Sequence, residues 1–230
     1  ELAGALSHQA TLVNRHASQE AFALPSAALL RAVLVGGATN LAAAALPAAP
    51  ASPPHLPSGQ GWGLLNLRQC LSPALPVSFE LRDDCALGPG RSTRYRFALP
   101  AGTALLRVTL TWTDPPGAGL VNRLHLTVRV GGQEFRGNLW ETALGRSHLS
   151  RPIPQPPVAA DAHEDIQAYK QVVLANPPAG DVEVIVAAAA FPADPFNQQN
   201  LQPFALVFAG TGPEAAFAPP PSALVDAAVY

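Results

Sequence analysis

The sequence predicts an α+β chain, with a helical first third followed by an antiparallel β-sandwich or jelly roll of roughly eight strands. Two observations carry that expectation. Up to Gly37 the apolar residues recur at the three-and-four spacing of helices, and from Val77 onward they alternate with polar ones, as on a half-buried strand. Glycine- and proline-containing turns divide the second part into short segments.

Leu2, Leu6, Ala10 and Val13 place one apolar face on a helix from Leu2 to His16. Leu24-Pro25-Ser26 offers a second helix start, because proline in a first turn gives up an N–H that has no intrahelical partner. Ala27 to Val35 follows, and Gly36-Gly37 supplies the stop. This second helix is apolar nearly all round, with Arg31 its one charge, which predicts burial on most sides. Leu46 to Ser58 reads as a Pro/Ala-rich loop. Gly59-Gln60-Gly61-Trp62-Gly63 is a glycine-dense turn around one aromatic and leads into Leu64 to Leu71.

The strands then follow in order. Tyr95, Phe97 and Leu99 share one face; Leu106, Val108, Leu110 and Trp112 share another, opposed by Arg107, Thr109 and Thr111. Leu124, Leu126, Val128 and Val130 repeat the pattern, and Gly131-Gly132 turns the chain into Gln133 to Arg136. Tyr169 to Leu174, Val182 to Ala188 and Phe204 to Ala209 complete the set, with a turn at Asn176-Pro177-Pro178-Ala179-Gly180. Glu141 to Asp165 is a long proline-rich loop, and Pro213 to Tyr230 a tail of low complexity.

Composition narrows the function. A net charge of -2 and a pI near 6.3 leave no basic surplus to neutralise nucleic-acid phosphates or anionic lipid. No apolar run reaches the roughly 20 residues that span a bilayer. The N-terminal stretch has no secretory signal pattern, as expected for the inside of a longer polypeptide.

Residues able to carry chemistry are sparse. His8 and His16 lie two turns apart on the first helix, too far to share one ion directly. Asp161, Glu164 and Asp165, beside His163, form a polar loop cluster whose hard oxygens suit calcium, with a solvated loop as the plainer reading. His125 faces away from the apolar set of its strand. Cys70 and Cys85 are near enough in sequence to close a loop worth roughly 3 kcal/mol, or to remain two buried thiols. No GxSxG, HExxH, phosphate loop or dinucleotide fingerprint is present. Taken alone, the chain offers no nucleophile with its base.

Two stretches resemble the subtilase (subtilisin-like serine protease) family, in particular its larger secreted members with a C-terminal β-domain. In the first, Ala3-Gly4-Ala5-Leu6 is similar to the later part of the family's serine-bearing helix. Pro25-Ser26-Ala27-Ala28-Leu29-Leu30-Arg31-Ala32-Val33-Leu34-Val35-Gly36-Gly37-Ala38 is similar to the next helix, and Gly59 to Asn66 to the turn closing the catalytic domain. In the second, Leu106-Arg107-Val108-Thr109-Leu110-Thr111-Trp112-Thr113-Asp114-Pro115-Pro116 and Leu120-Val121-Asn122-Arg123-Leu124-His125-Leu126-Thr127-Val128 resemble a signature of the β-domain. Gly137-Asn138, Asn176 to Gly180 and Phe204 to Val207 follow in the family's order.

The resemblance implies residues 1–72 as the C-terminal portion of a catalytic α/β domain, 73–212 as a β-sandwich (jelly-roll) domain and 213–230 as a Pro/Ala-rich tail. It implies a secreted serine endopeptidase whose Asp, His and Ser triad lies outside this chain, so no catalytic residue is carried over. The implied partners are the N-terminal catalytic portion, on whose sheet the front helices would pack, and a protein substrate. Secretion favours a Cys70–Cys85 disulfide. Arg123-Leu124-His125 stands where the family has two aspartates, which leaves Asp114, Asn122 and Asn138 as candidate calcium ligands. That departure also fits an alternative: a non-catalytic extracellular structural or adhesion protein on the same scaffold. A third reading is an unrelated binding module.

Overall fold

The computed structural model describes residues 25–38, 62–67, 70, 77–117, 119–140, 149–153, 167–189, 191–192, 200–211 and 224–225, with 77–84, 211 and 224–225 as backbone only. The predicted Leu2–His16 helix, the Leu46–Ser58 loop, the Asp161–Asp165 cluster and most of the tail lie outside these residues.

Among the described residues, ten strands follow one helix: α1 (Ala27–Gly36), β1 (Val77–Leu87), β2 (Ser92–Leu99), β3 (Leu105–Trp112), β4 (Leu124–Val130), β5 (Gln133–Trp140), β6 (Ser150–Pro152), β7 (Tyr169–Ala175), β8 (Gly180–Ala188), β9 (Gln202–Thr211) and β10 (Leu224–Val225). They form a four-stranded sheet, β1-β9-β3-β7, and a six-stranded sheet, β10-β2-β8-β4-β5-β6, paired antiparallel throughout. Setting aside the short edge strands β6 and β10, this is the strand order of a jelly roll, in which the chain passes repeatedly from one sheet to the other.

The expected α+β class is therefore corrected: the described chain is a β-sandwich carrying one short helix. The helical reading of α1 itself was locally sound. Ser26 caps it, its Oγ accepting from the Leu29 N–H at 3.0 Å, and Gly37 ends it. What the sequence reading misjudged is the partner. An upstream sheet was expected to cover the apolar stripe, but Ala28, Leu29, Ala32 and Val33 are buried against Ala205 and Val207 of β9.

Between the sheets lies the core. Val108, Leu110 and Trp112 from β3, Leu124, Leu126 and Val128 from β4, and Val182, Val184 and Val186 from β8 are all fully buried there. Period-two alternation delivers them, since each strand sends every second side chain inward. Phe208 closes one end edge-to-face against Tyr95 and Phe97, at ring separations of 5.9 and 5.4 Å. The β4–β5 hairpin turns through Gly131 and Gly132 at φ 56° and 74°, the left-handed pair that a two-residue hairpin loop requires.

Candidate functional site

Polar side chains converge on the outer face of the four-stranded sheet, where α1 lies. Alternation predicts Arg107, Thr109 and Thr111 on a polar face of β3, yet Thr109 and Thr111 are 1% and 0% exposed. A buried hydroxyl is costly unless it is hydrogen-bonded. Thr111 Oγ1 donates to the Ala28 carbonyl, and Thr109 Oγ1 accepts from Gln171 Nε2 at 3.1 Å. Gln171 Nε2 also reaches the Val35 carbonyl at 3.4 Å, and Arg107 Nη1 donates to the carbonyls of Gly36 and Ala38 at 2.8 and 3.1 Å. The last carbonyls of a helix lack intrahelical donors and carry its negative dipole end, so a cation there is doubly favourable. In return, Arg31 Nη1 of α1 donates to the Trp112 carbonyl at 3.2 Å.

Cys70 completes this patch. A Cβ built on Gly37 would sit 2.3 Å from Cys70 Sγ and 2.9 Å from its backbone N, so the close approach needs glycine. Burial pushes the Cys70 thiol pKa up, and the nearby Arg107 pulls the other way. Burial likewise lowers the Arg107 pKa, against the opposing influence of Cys70. The expected Cys70–Cys85 disulfide is not formed, and both cysteines are free thiols. They lie on opposite sides of the sheet: Cys70 packs with α1, whereas Cys85 packs against the inter-sheet core and accepts from Tyr95 Oη at 3.3 Å.

The candidate calcium ligands form two hydrogen-bonded corners. Asp114 accepts the Val121 and Asn122 N–H groups through its two carboxylate oxygens, at 2.6 and 2.7 Å. Asn122 donates from Nδ2 to Gln202 Oε1 at 2.8 Å, and its carbonyl accepts from Trp112 Nε1 at 3.0 Å. Gln202 Nε2 in turn donates to the Thr113 and Pro203 carbonyls. This corner fastens the β3–β4 connection to the start of β9.

Asn138 forms the other corner, between the sheets. In the left-handed region at φ 62°, it donates to the Tyr169 carbonyl and accepts from the Gln171 N–H, both at 2.9 Å. It thereby stands in for a strand partner of β7. Beside it, a Cβ on Gly137 would lie 2.6 Å from Lys170 Cβ, so β5 and β7 approach this closely only over glycine. These donors do not fit a calcium site. Asp114 is committed to backbone N–H groups, Asn138 belongs to a different corner, and no group of three potential metal-binding side chains occurs among the described residues.

On the outer face of the six-stranded sheet, Arg96, Glu183, Arg129 and Glu134 line up across β2, β8, β4 and β5. Glu183 bonds Arg96 at 2.7 Å and Arg129 at 3.1 Å, and Arg129 bonds Glu134 at 2.8 Å. The Arg96 hydrogen bond holds the Glu183 carboxyl below its ordinary range, with burial opposing and Arg129 assisting. Glu134 chiefly raises the Arg129 pKa. His125, half-buried on β4, belongs to this face, and Arg123 is exposed just before it.

Trp62 anchors residues 62–67 by edge-to-face contacts with Tyr169 and Trp140, at 5.1 and 5.9 Å. Leu64, Leu65 and Leu67 of the same segment are exposed. Sequence reasoning missed the roles of Arg107, Thr109, Thr111 and Gln171. The signal for them was an apolar helix needing a cover, beside a strand whose polar face is rich in threonine.

No protein-family model and no curated protein matches the chain. Among solved structures, it is similar to the VP2 subviral particle of infectious bursal disease virus, with 11% identity and a TM-score of 0.32. The alignment covers 75% of this chain and 39% of that one, so the chain spans well under half of the neighbour's length. At that identity and score the likeness assigns neither family nor role. No helix among the described residues is long and apolar enough to cross a membrane.

Proposed function

We propose that this chain supplies the C-terminal β-domain of a secreted subtilisin-like serine endopeptidase, whose Asp, His and Ser lie outside it. The observation that carries the reading is the ordered set of motif residues Trp112, Asp114, Asn122, Gly137 and Asn138. Their geometry gives each a task in closing a jelly-roll corner, which accounts for a signature without any catalytic member. In this reading the sandwich braces a catalytic portion that cleaves peptide bonds with a histidine-activated serine. The exposed Leu64, Leu65 and Leu67 supply apolar surface for that attachment.

Arg123 and His125 favour a second reading, a non-catalytic extracellular scaffold, because they replace both carboxylates of the resembled signature. Fluorophosphonate labelling of the secreted protein from its native source separates the two. Labelled serine on the polypeptide that contains or co-purifies with these residues is expected for the protease. Intact, folded, secreted protein that takes no label overturns it in favour of the scaffold.

A further inference from the structure

The glycine-dense stretch around Trp62 is the one sequence motif that the corners and the ion-pair ladder leave without a task. Trp62 is half-buried between two rings, edge-to-face with Tyr169 of β7 at 5.1 Å and with Trp140 of β5 at 5.9 Å. Directly after it the backbone passes through Gly63 at φ 101°, a conformation open to glycine and costly for any residue with a Cβ. The ring stays inserted while the chain turns away toward Asn66 and Cys70. The Cys70 N–H donates to the Asn66 carbonyl at 3.0 Å, the spacing of one helical turn. Cys70 then packs over Gly37 at the end of α1.

These contacts close a circuit. From the last turn of α1, the Val35 carbonyl accepts from Gln171 Nε2 at 3.4 Å. The Gln171 N–H donates to Asn138 Oδ1, and Asn138 Nδ2 donates to the Tyr169 carbonyl, both at 2.9 Å. Tyr169 meets Trp62, and the chain from Trp62 returns through Asn66 and Cys70 to Gly37. Two routes thus join the end of α1 to the same stretch of β7, one through Gln171 and one through Trp62. A segment pinned at one end has a high effective concentration at its other contact. Trp62 therefore holds Cys70 against Gly37 more firmly than the Cys70 contact would hold itself.

We propose that residues 62–67 with Cys70 form a strap across the C-terminal end of α1, buckled at Trp62 between Trp140 and Tyr169, and that release of this buckle governs release of the helix. The influence of Trp62 on α1 travels along the strap to Cys70, and Gly63 supplies the backbone turn that lets the buckle close. The strap acts within the fold itself, so it serves a protease domain and a scaffold alike.

Native-state hydrogen exchange on the full chain tests this, with the α1 amides as reporter and those of β4 and β8 as reference. Trp62→Ala removes the buckle and should speed exchange in α1 by roughly tenfold or more, while β4 and β8 keep the parent's protection. Gly63→Ala removes no side chain but strains the turn at φ 101°, so it should loosen α1 in the same direction. Trp62→Phe keeps a ring between Trp140 and Tyr169 and should restore most of the protection. Circular dichroism like the parent's establishes that each variant is folded. Exchange of α1 at the parent's rate in both Trp62→Ala and Gly63→Ala overturns the proposal, as does equal loosening of β4 and β8.

Discussion

Arg107, the third residue of β3, donates to the carbonyl of Gly36 at 2.8 Å and so ties the last turn of α1 to the sheet beneath it. Hydrogen bonds from a charged donor contribute about 1.5–3 kcal/mol. Arg107→Met keeps much of the stem packing and removes the donors. It should lower stability by about 2 kcal/mol in urea unfolding. Hydrogen exchange should locate the loosening in α1, with β4 and β8 still protected. Loss spread evenly over the sandwich would count against this division.

Asn138 combines two cross-sheet hydrogen bonds with a left-handed backbone at φ 62°. Asn138→Gly keeps the backbone freedom and loses only the bonds, whereas Asn138→Ala loses both. The glycine variant should cost about 1–2 kcal/mol and the alanine variant about 1 kcal/mol more. Thermal unfolding of the pair reads the difference directly, and the reverse order would refute the assignment.

Two free thiols predict a simple chemical result. Unfolded in denaturant without reductant, the chain should titrate two thiols per molecule with an aromatic disulfide reagent. In the native protein Cys85 should react before Cys70, which is 1% exposed. Burial also raises the Cys70 pKa, so the reactive thiolate is scarce there at mildly alkaline pH. Peptide mapping of the first labelled site checks the order.

Glu183 gives a pH dependence. Its folded pKa lies below the ordinary glutamate value, chiefly through Arg96. Its contribution is therefore complete above the unfolded-state pKa, near 4.3, and is lost as pH falls through the lowered folded value. Glu183→Gln should be less stable by about 0.5–1 kcal/mol at neutral pH, as for a networked surface ion pair. The two proteins should converge in acid. Urea midpoints measured from pH 7 down to pH 2.5 provide the comparison.

The sandwich was legible because alternation along β3, β4 and β8 has only one way to bury Val108, Leu126 and Val184 together. The α+β expectation failed at a specific place. Periodicity reported that α1 had an apolar face, but it carries no information about which surface covers that face. Thr109 and Thr111 illustrate the same gap. Their residue type suits a solvated strand face, and only the three-dimensional placement of the Ala28 carbonyl and Gln171 makes them interior groups. Asp114, Asn122 and Asn138 were visible as oxygen-bearing residues in turns. Whether such oxygens meet a metal or an amide depends on backbone direction, which spacing alone does not fix. Cys70 and Cys85 failed as a pair for a topological reason, since the intervening chain delivers them to opposite sides of one sheet.

Two apolar clusters among the described residues share β9, which turns Leu206 and Phe208 toward the other sheet and Ala205 and Val207 toward α1. Among the described residues the outer cluster is much smaller than the inter-sheet one, so it forms a natural unit of sub-global opening. Fluctuations that release α1 would cost far less than global unfolding and would leave the jelly roll standing. Such an opening would uncover Cys70, Thr109 and Thr111 together. Thiol labelling of Cys70 would then report the lifetime of that partly open state, a clock built into the fold for timing how often the helix leaves its seat.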